Sequence, residues 1–317
     1  MTEITTEIMC NFDISYTTMR RLILITALLC SLAVFGKGGN KPATVIITAG
    51  QSNTDGRVMN DDLPDYIKLN KYTYCHWCYG SGGQAIVEPF ETFWPRMAHA
   101  TRPERWAYDA VTYYYLEQAL REDFYVVKWS LGGTAIDTTA TSTSRKYWSA
   151  DTEWLSKNHS TATGGRSLLL SFTESIGASI DKYLSKLSQG YEIKAFLWHQ
   201  GESDRRQGAN YYDNLKGVVA YVRNYLVEKT GDKSYSKLPF ICGTVARSNK
   251  QYGAEVEAAM YQLAKDDKHF YVIDMSEAEL QKDQLHFTAA SAEYLGTAMY
   301  NKLVDLGVAG KKAKKIR

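Results

Sequence analysis

The chain has 317 residues, 44% hydrophobic and 23% charged, which suits one large core and excludes a disordered or fibrous protein. A formal net charge of +2, with acids and bases interspersed, supplies no broad field for nucleic acid or an anionic membrane.

In chain order, the first feature is Arg20-Arg21 followed by the apolar run 22–35, the charge-then-hydrophobe order of an export signal. The run is too short to span a bilayer comfortably, so no stable membrane span is expected once it is removed. Cleavage after Gly36 is expected, and Met19 is an alternative start that would make residues 1–18 an upstream extension. The expected organisation is therefore extension and signal over 1–36, one domain over 40–308, and a basic tail over 309–317. The protein is expected to be exported, to the periplasm or outside the cell. The tail carries Lys311, Lys312, Lys314, Lys315 and Arg317 and reads as a solvated end.

Beyond the signal, five short apolar runs, at 44–48, 124–129, 193–198, 238–243 and 270–274, alternate with helical patterns at 106–120, 168–187, 211–226, 256–263 and 289–306. The stripe Leu215, Val218, Val219, Val222 and Leu226 has helical spacing and marks a core face. Such alternation predicts an α/β fold with three α/β/α layers around a mostly parallel, five-stranded sheet. Two stretches break the rule, 61–99 and 133–165, and both read as functional loops. The first contains Cys75-His76-Trp77-Cys78. With Cys242 these leave three cysteines after the signal, so not all can pair. One such pair lacks the four ligands of a structural zinc, and the plainer reading is a short disulfide or two buried thiols in a loop.

Ligands of open parallel sheets bind beyond the carboxyl ends of the strands. Those ends read Gly50-Gln51-Ser52-Asn53, Gly132-Gly133-Thr134, and His199-Gln200-Gly201-Glu202; after the last run come Asp283 and His286, with Thr288 placed to cap the following helix. Together they supply acyl-transfer chemistry. A serine hydroxyl needs a base to take its proton, and histidine suits that task near neutrality. The ring must be held by an acceptor on its other nitrogen, which Asp283 at i−3 can provide. The oxyanion needs preorganised donors, available from the backbone of Ser52, from Gly132 or Gly133, and from the Gln200 side chain. Taken singly, each piece has a plainer reading as a turn or a cap. His199 with Glu202 could suggest metal ligands, but Gly201 and the strand end argue against a two-ligand helix face, and no metal is assigned. His76, His99, His159 and His269 read as structural or surface residues.

These four blocks resemble the motifs of the SGNH/GDSL hydrolase superfamily, and within it the sialate O-acetylesterase-like branch and carbohydrate esterase family six, which includes acetylxylan esterases. The resemblance runs from about Val45 to about Leu306. It implies a flavodoxin-like fold, no metal or organic cofactor, and removal of acetyl groups from sugars, with acetylated carbohydrate as the partner. By position it makes Ser52 the nucleophile and His286 the base. It also implies an oxyanion hole of Ser52, a glycine of the 132–133 pair and Gln200, which replaces the superfamily's usual asparagine. Either Asp283 or Glu202 orients His286. Gln51, Asn53 and His199 are expected to contact substrate. The alternatives are a catalytically silent carbohydrate-binding protein on the same fold, and a lipase or thioesterase of the wider superfamily.

Overall fold

The computed structural model describes residues 41–81, 90–95 and 104–314. The expected signal, His99 and the last three residues of the tail lie outside these. The first strand, β1 (Ala43–Gly50), is buried along its whole length, as a central parallel strand covered on both faces must be. It is followed by β2 (Cys75–Ser81), β3 (Glu91–Thr92), β4 (Phe124–Ser130), β5 (Tyr191–His199), β6 (Phe240–Gly243) and β7 (Phe270–Ile273). These form one sheet in the order β3-β2-β4-β1-β5-β6-β7, in which only the β2–β3 pair is antiparallel. The five strands expected from the sequence occupy the order 2-1-3-4-5, the flavodoxin arrangement, and the crevice where that order reverses lies at the end of β1.

The sheet has seven strands rather than five because 75–81 and 91–92, read as loop, extend it beyond β4. Their residues are mostly aromatic, polar and glycine, so no aliphatic run announces them. Trp77 nevertheless stacks on Tyr79 at 4.2 Å and meets Phe93 edge-on. Side chains three apart on a strand point to opposite faces. Cys75 and Cys78 accordingly enter different cores as separate buried thiols, and burial pushes both thiols above their usual range.

The same alternation builds both cores. Val45, Ile47 and Ala49 face one side with α3 (Leu168–Lys182), α4 (Gly208–Thr230) and α5 (Ala254–Asp266). Ile46 faces the other with α2 (Asp109–Leu120) and α6 (Ala289–Asp305). The stripe on α4 is wholly buried, and Thr288 caps α6 by accepting the Ser291 N–H. Beneath the carboxyl end of the sheet, Lys128 and Asp109 form an ion pair at 2.6 Å with both side chains 2% exposed. At the C-terminus Tyr300 donates to the Lys311 carbonyl and Lys312 pairs with Asp305. The start of the basic tail is therefore pinned to α6 rather than free in solvent. No helix among the described residues is long and apolar enough to cross a membrane.

Candidate active site

β1 ends where its backbone is pressed against β5. Gly50 has φ +150°, and a Cβ there would fall 2.3 Å from the His199 carbonyl, so only glycine fits. The next N–H, of Gln51, donates to that carbonyl at 3.0 Å, and the Gly50 carbonyl accepts from Leu131 at 3.2 Å. Three strand ends are thus stitched at one point. From it the chain turns into α1 (Ser52–Asp55), with the N–H groups of Thr54 and Asp55 both donating to the Gln51 carbonyl. Thr54 supports the turn from below through Tyr108 and the His199 carbonyl.

Ser52, 8% exposed, lines a cavity of about 340 Å³ together with His286, Gln51, Arg57, Gly132, Gly133, Thr141, Thr143, Glu202, Ser203, Gln251 and Leu285. His286 Nδ1 lies 2.6 Å from Asp283 Oδ2, and Asp283 Oδ1 accepts the N–H groups of Leu285 and His286. Burial works against the Asp283 carboxylate, but these donors and the imidazole outweigh it and hold its pKa below the usual range. Burial lowers His286 below its ordinary 6.5; Asp283 opposes the shift and the Arg57 guanidinium adds to it. The ring is therefore neutral at pH 7, with Nδ1–H donated to Asp283 and Nε2 left as the basic atom.

The two glycines of the β4 loop differ. A Cβ on Gly132 would lie 3.3 Å from Ser52 Cβ and 2.3 Å from Arg57 Nη2, whereas one on Gly133 would strike Thr143 Oγ1 at 1.9 Å. Gly132 is thus the glycine against the serine. Arg57 Nη1 is anchored by Asp55 Oδ2 at 2.8 Å and the Gly56 carbonyl at 2.6 Å. Arg57 sits inside the stretch that carries Ser52, but an arginine after a turn gives no sequence signal. Thr141, Thr143 and Gln251, likewise unforeseen, come from loops whose path no local pattern encodes.

Four expected assignments change. Gln200 is fully buried, and its Nε2 is spent on Asp204 Oδ2 at 2.6 Å, the Thr134 carbonyl at 3.1 Å and Gln51 Oε1 at 3.4 Å. Tyr211 takes its Oε1 at 3.0 Å, so the side chain is a brace and not an oxyanion donor. His199 is fully buried, with Nε2 3.2 Å from the Thr244 carbonyl, and cannot reach substrate. Asn53, 4% exposed, uses both amide atoms internally. Glu202 lines the cavity, but its Oε1 accepts from Asn53 at 3.1 Å, while the partner of His286 Nδ1 is Asp283. Gln51 remains on the cavity wall.

The loop over 133–165 is held by Asp204, which accepts the N–H groups of Ile136 at 2.9 Å and Asp137 at 2.8 Å. Burial pushes this carboxyl up to about 6 against three N–H donors. The brace of Gln200 and Asp204 thus fixes the loop that brings Gly132, Gly133, Thr141 and Thr143 to the cavity.

A hydroxyl, an imidazole backed by a carboxylate, and a glycine turn at the carboxyl edge of a flavodoxin-ordered sheet define the SGNH class of hydrolases. Comparison with known proteins narrows the class. Residues 159–305 match the family model described as carbohydrate esterase, sialic acid-specific acetylesterase, a span that includes Gln200, Glu202, Asp283 and His286. Among solved structures, a protein from Arabidopsis thaliana is similar at 19% identity and TM-score 0.57, covering 83% of this chain and 98% of the other. NanS is similar at 14% and 0.56, covering 84% and 98%, and a carbohydrate acetylesterase from Xanthomonas citri at 14% and 0.50, covering 83% and 56%. No curated protein matches the sequence. The match over residues 159–305 supports a likeness to the sialate O-acetylesterase-like family of SGNH hydrolases, and with it the activity class of a carbohydrate O-acetylesterase.

Proposed function

We propose that the protein is an exported serine esterase that removes O-acetyl groups from acetylated polysaccharide or sialic acid through an acetyl-Ser52 intermediate. The observation that carries this reading is the 2.6 Å contact of Asp283 with His286 Nδ1 in a cavity that Ser52 and Gly132 also line. His286 Nε2 takes the Ser52 proton as Oγ adds to the acetyl carbonyl. The N–H groups of Ser52 and Gly132 hold the resulting oxyanion. Collapse breaks the bond to the sugar oxygen, which receives the proton from Nε2–H. Water, deprotonated by the same nitrogen, then adds to the acetyl carbon, and a second collapse releases acetate and restores Ser52 with its proton. Export is supported by Arg20-Arg21 and the apolar run after them.

The test is acetate release from acetylated xylan, acetylated sialic acid and acetylated pectin, with a small aryl acetate as general substrate. Ser52→Ala is expected to abolish release from all of them at an unchanged unfolding midpoint. Glycan binding without acetate release by the parent protein, or retained hydrolysis in Ser52→Ala, overturns the proposal.

A further inference from the structure

The residue next to Ser52 is spent on something other than substrate. Asn53 Oδ1 accepts the N–H of Phe287 at 3.1 Å, and Phe287 directly follows His286. Asn53 Nδ2 donates to Glu202 Oε1 at 3.1 Å. One amide thus touches the nucleophile's turn, the loop of the base, and the turn that follows β5. All of it is sealed from solvent, with Asn53 at 4%, Glu202 at 1% and Phe287 at 2% exposure.

The chain of contacts goes deeper. Glu202 Oε1 is also 3.8 Å from His199 Nδ1, and the other ring nitrogen of His199 faces the Thr244 carbonyl at 3.2 Å. A carbonyl only accepts, so Nε2 carries the hydrogen and donates it. The His199 ring also packs edge-on against Phe287, with centroids 5.0 Å apart. Glu202 therefore sets where Asn53 sits, and Asn53 in turn sets the Phe287 backbone, whose ring packs on His199.

We infer that Asn53 is a positioning residue that fixes the separation of Ser52 and His286, with Glu202 as its anchor. This rests on the proposed roles of Ser52 and His286. The physical need is evident from the fold. The serine is held by β1, whereas His286 lies on a loop between β7 and α6, whose own ties to the nucleophile segment run through single side chains. Another such tie is Gln281, which donates to the Arg57 and Phe287 carbonyls. A displacement of about 1 Å between reacting groups costs about a hundredfold in rate.

The experiment reverses the donor and acceptor across the strut. Asn53→Asp keeps the acceptor for the Phe287 N–H but sets a carboxylate oxygen against Glu202 Oε1. Its kcat on an aryl acetate is expected to fall about a hundredfold, with KM within about threefold. Adding Glu202→Gln gives the new carboxylate an amide donor, and the double variant is expected to recover at least tenfold of the lost kcat. Asn53→Ala serves as the second variant, expected to lose kcat and not KM at 20 °C whatever its melting temperature.

Three results overturn the inference while Ser52→Ala remains inactive. They are an Asn53→Asp enzyme with parental kcat, a loss confined to KM in either single variant, and a double variant no better than Asn53→Asp alone. If Asn53→Asp does not fold, a parental kcat in Asn53→Ala is equally fatal. An active Ser52→Ala would instead sink the esterase mechanism itself, so the two failures are separable.

Discussion

Asp283→Asn changes one atom of the side chain that holds the base, and the structure dictates how the new amide must lie. Asp283 Oδ1 accepts two backbone N–H groups, from Leu285 and His286. An asparagine there keeps its oxygen on those donors and turns its NH₂ toward His286 Nδ1. Nδ1 must then accept, which moves the ring hydrogen to Nε2, the atom that should take the Ser52 proton. In a buried triad this wrong-tautomer change costs about 10⁴ in kcat. The Asp283 side chain is 41% exposed, so water can share Nδ1 and lessen the penalty. The expected loss is about 10³, equivalent to about 4 kcal/mol of transition-state stabilisation. Initial rates of aryl acetate hydrolysis, with thermal unfolding as the fold control, measure it. An Asp283→Asn enzyme within tenfold of the parent at an unchanged melting temperature would refute the reasoning, as would a larger kcat loss in Glu202→Gln on the same assay.

The remaining predictions concern the ring and the glycine beside the serine. Because burial lowers the His286 pKa and only the neutral ring is a base, kcat/KM should fall on the acid side with an apparent pKa below 6.5. In Asp283→Asn that limb should move to still lower pH, since the lost carboxylate favoured the charged ring; a parental limb above pH 7 would contradict this. Gly132→Ala should lower kcat about a hundredfold in a folded protein, because its methyl would meet an Arg57 guanidinium that Asp55 and Gly56 hold in place and crowd Ser52 Cβ. Parental kcat in Gly132→Ala would remove this glycine from the reaction.

The parts of the fold that could be read in advance are those with a repeating apolar signal. The runs in β1, β4, β5 and β6 are aliphatic and aromatic because both faces of a central parallel strand are covered, and the edge strand β7 keeps enough of that pattern to be read. β2 escaped notice because its packing is carried by Trp77 and Tyr79 beside cysteines and a glycine, with no aliphatic period to mark it. The Cys75-x-x-Cys78 spacing suggested a short-range pair only while the segment was read as a loop. As a strand it sends the two thiols to opposite faces.

Within the site, contacts between neighbours in the chain are legible in the sequence, and contacts between neighbours in space are not. Asp283 reaches His286 across three residues, and the turn that joins them is local. Gln200 was assigned to the oxyanion because its residue type and strand end fit that chemistry. Whether an amide is available, however, depends on Asp204, Thr134, Gln51 and Tyr211, which take all of its capacity. Asn53 and His199 were misassigned for the same reason, since burial and partner count are properties of the folded chain. Polar residues at strand ends therefore divide into two sets that composition cannot separate: those that meet substrate, and those that hold the first set in position. Asn53 and Phe287, the neighbours of Ser52 and His286, are 234 positions apart in the chain, and a mutual geometry that tight requires the second set. Hence conspicuous polar motifs such as Gly-Gln-Ser-Asn and His-Gln-Gly-Glu are only partly chemistry, and the remainder is the scaffold that chemistry needs.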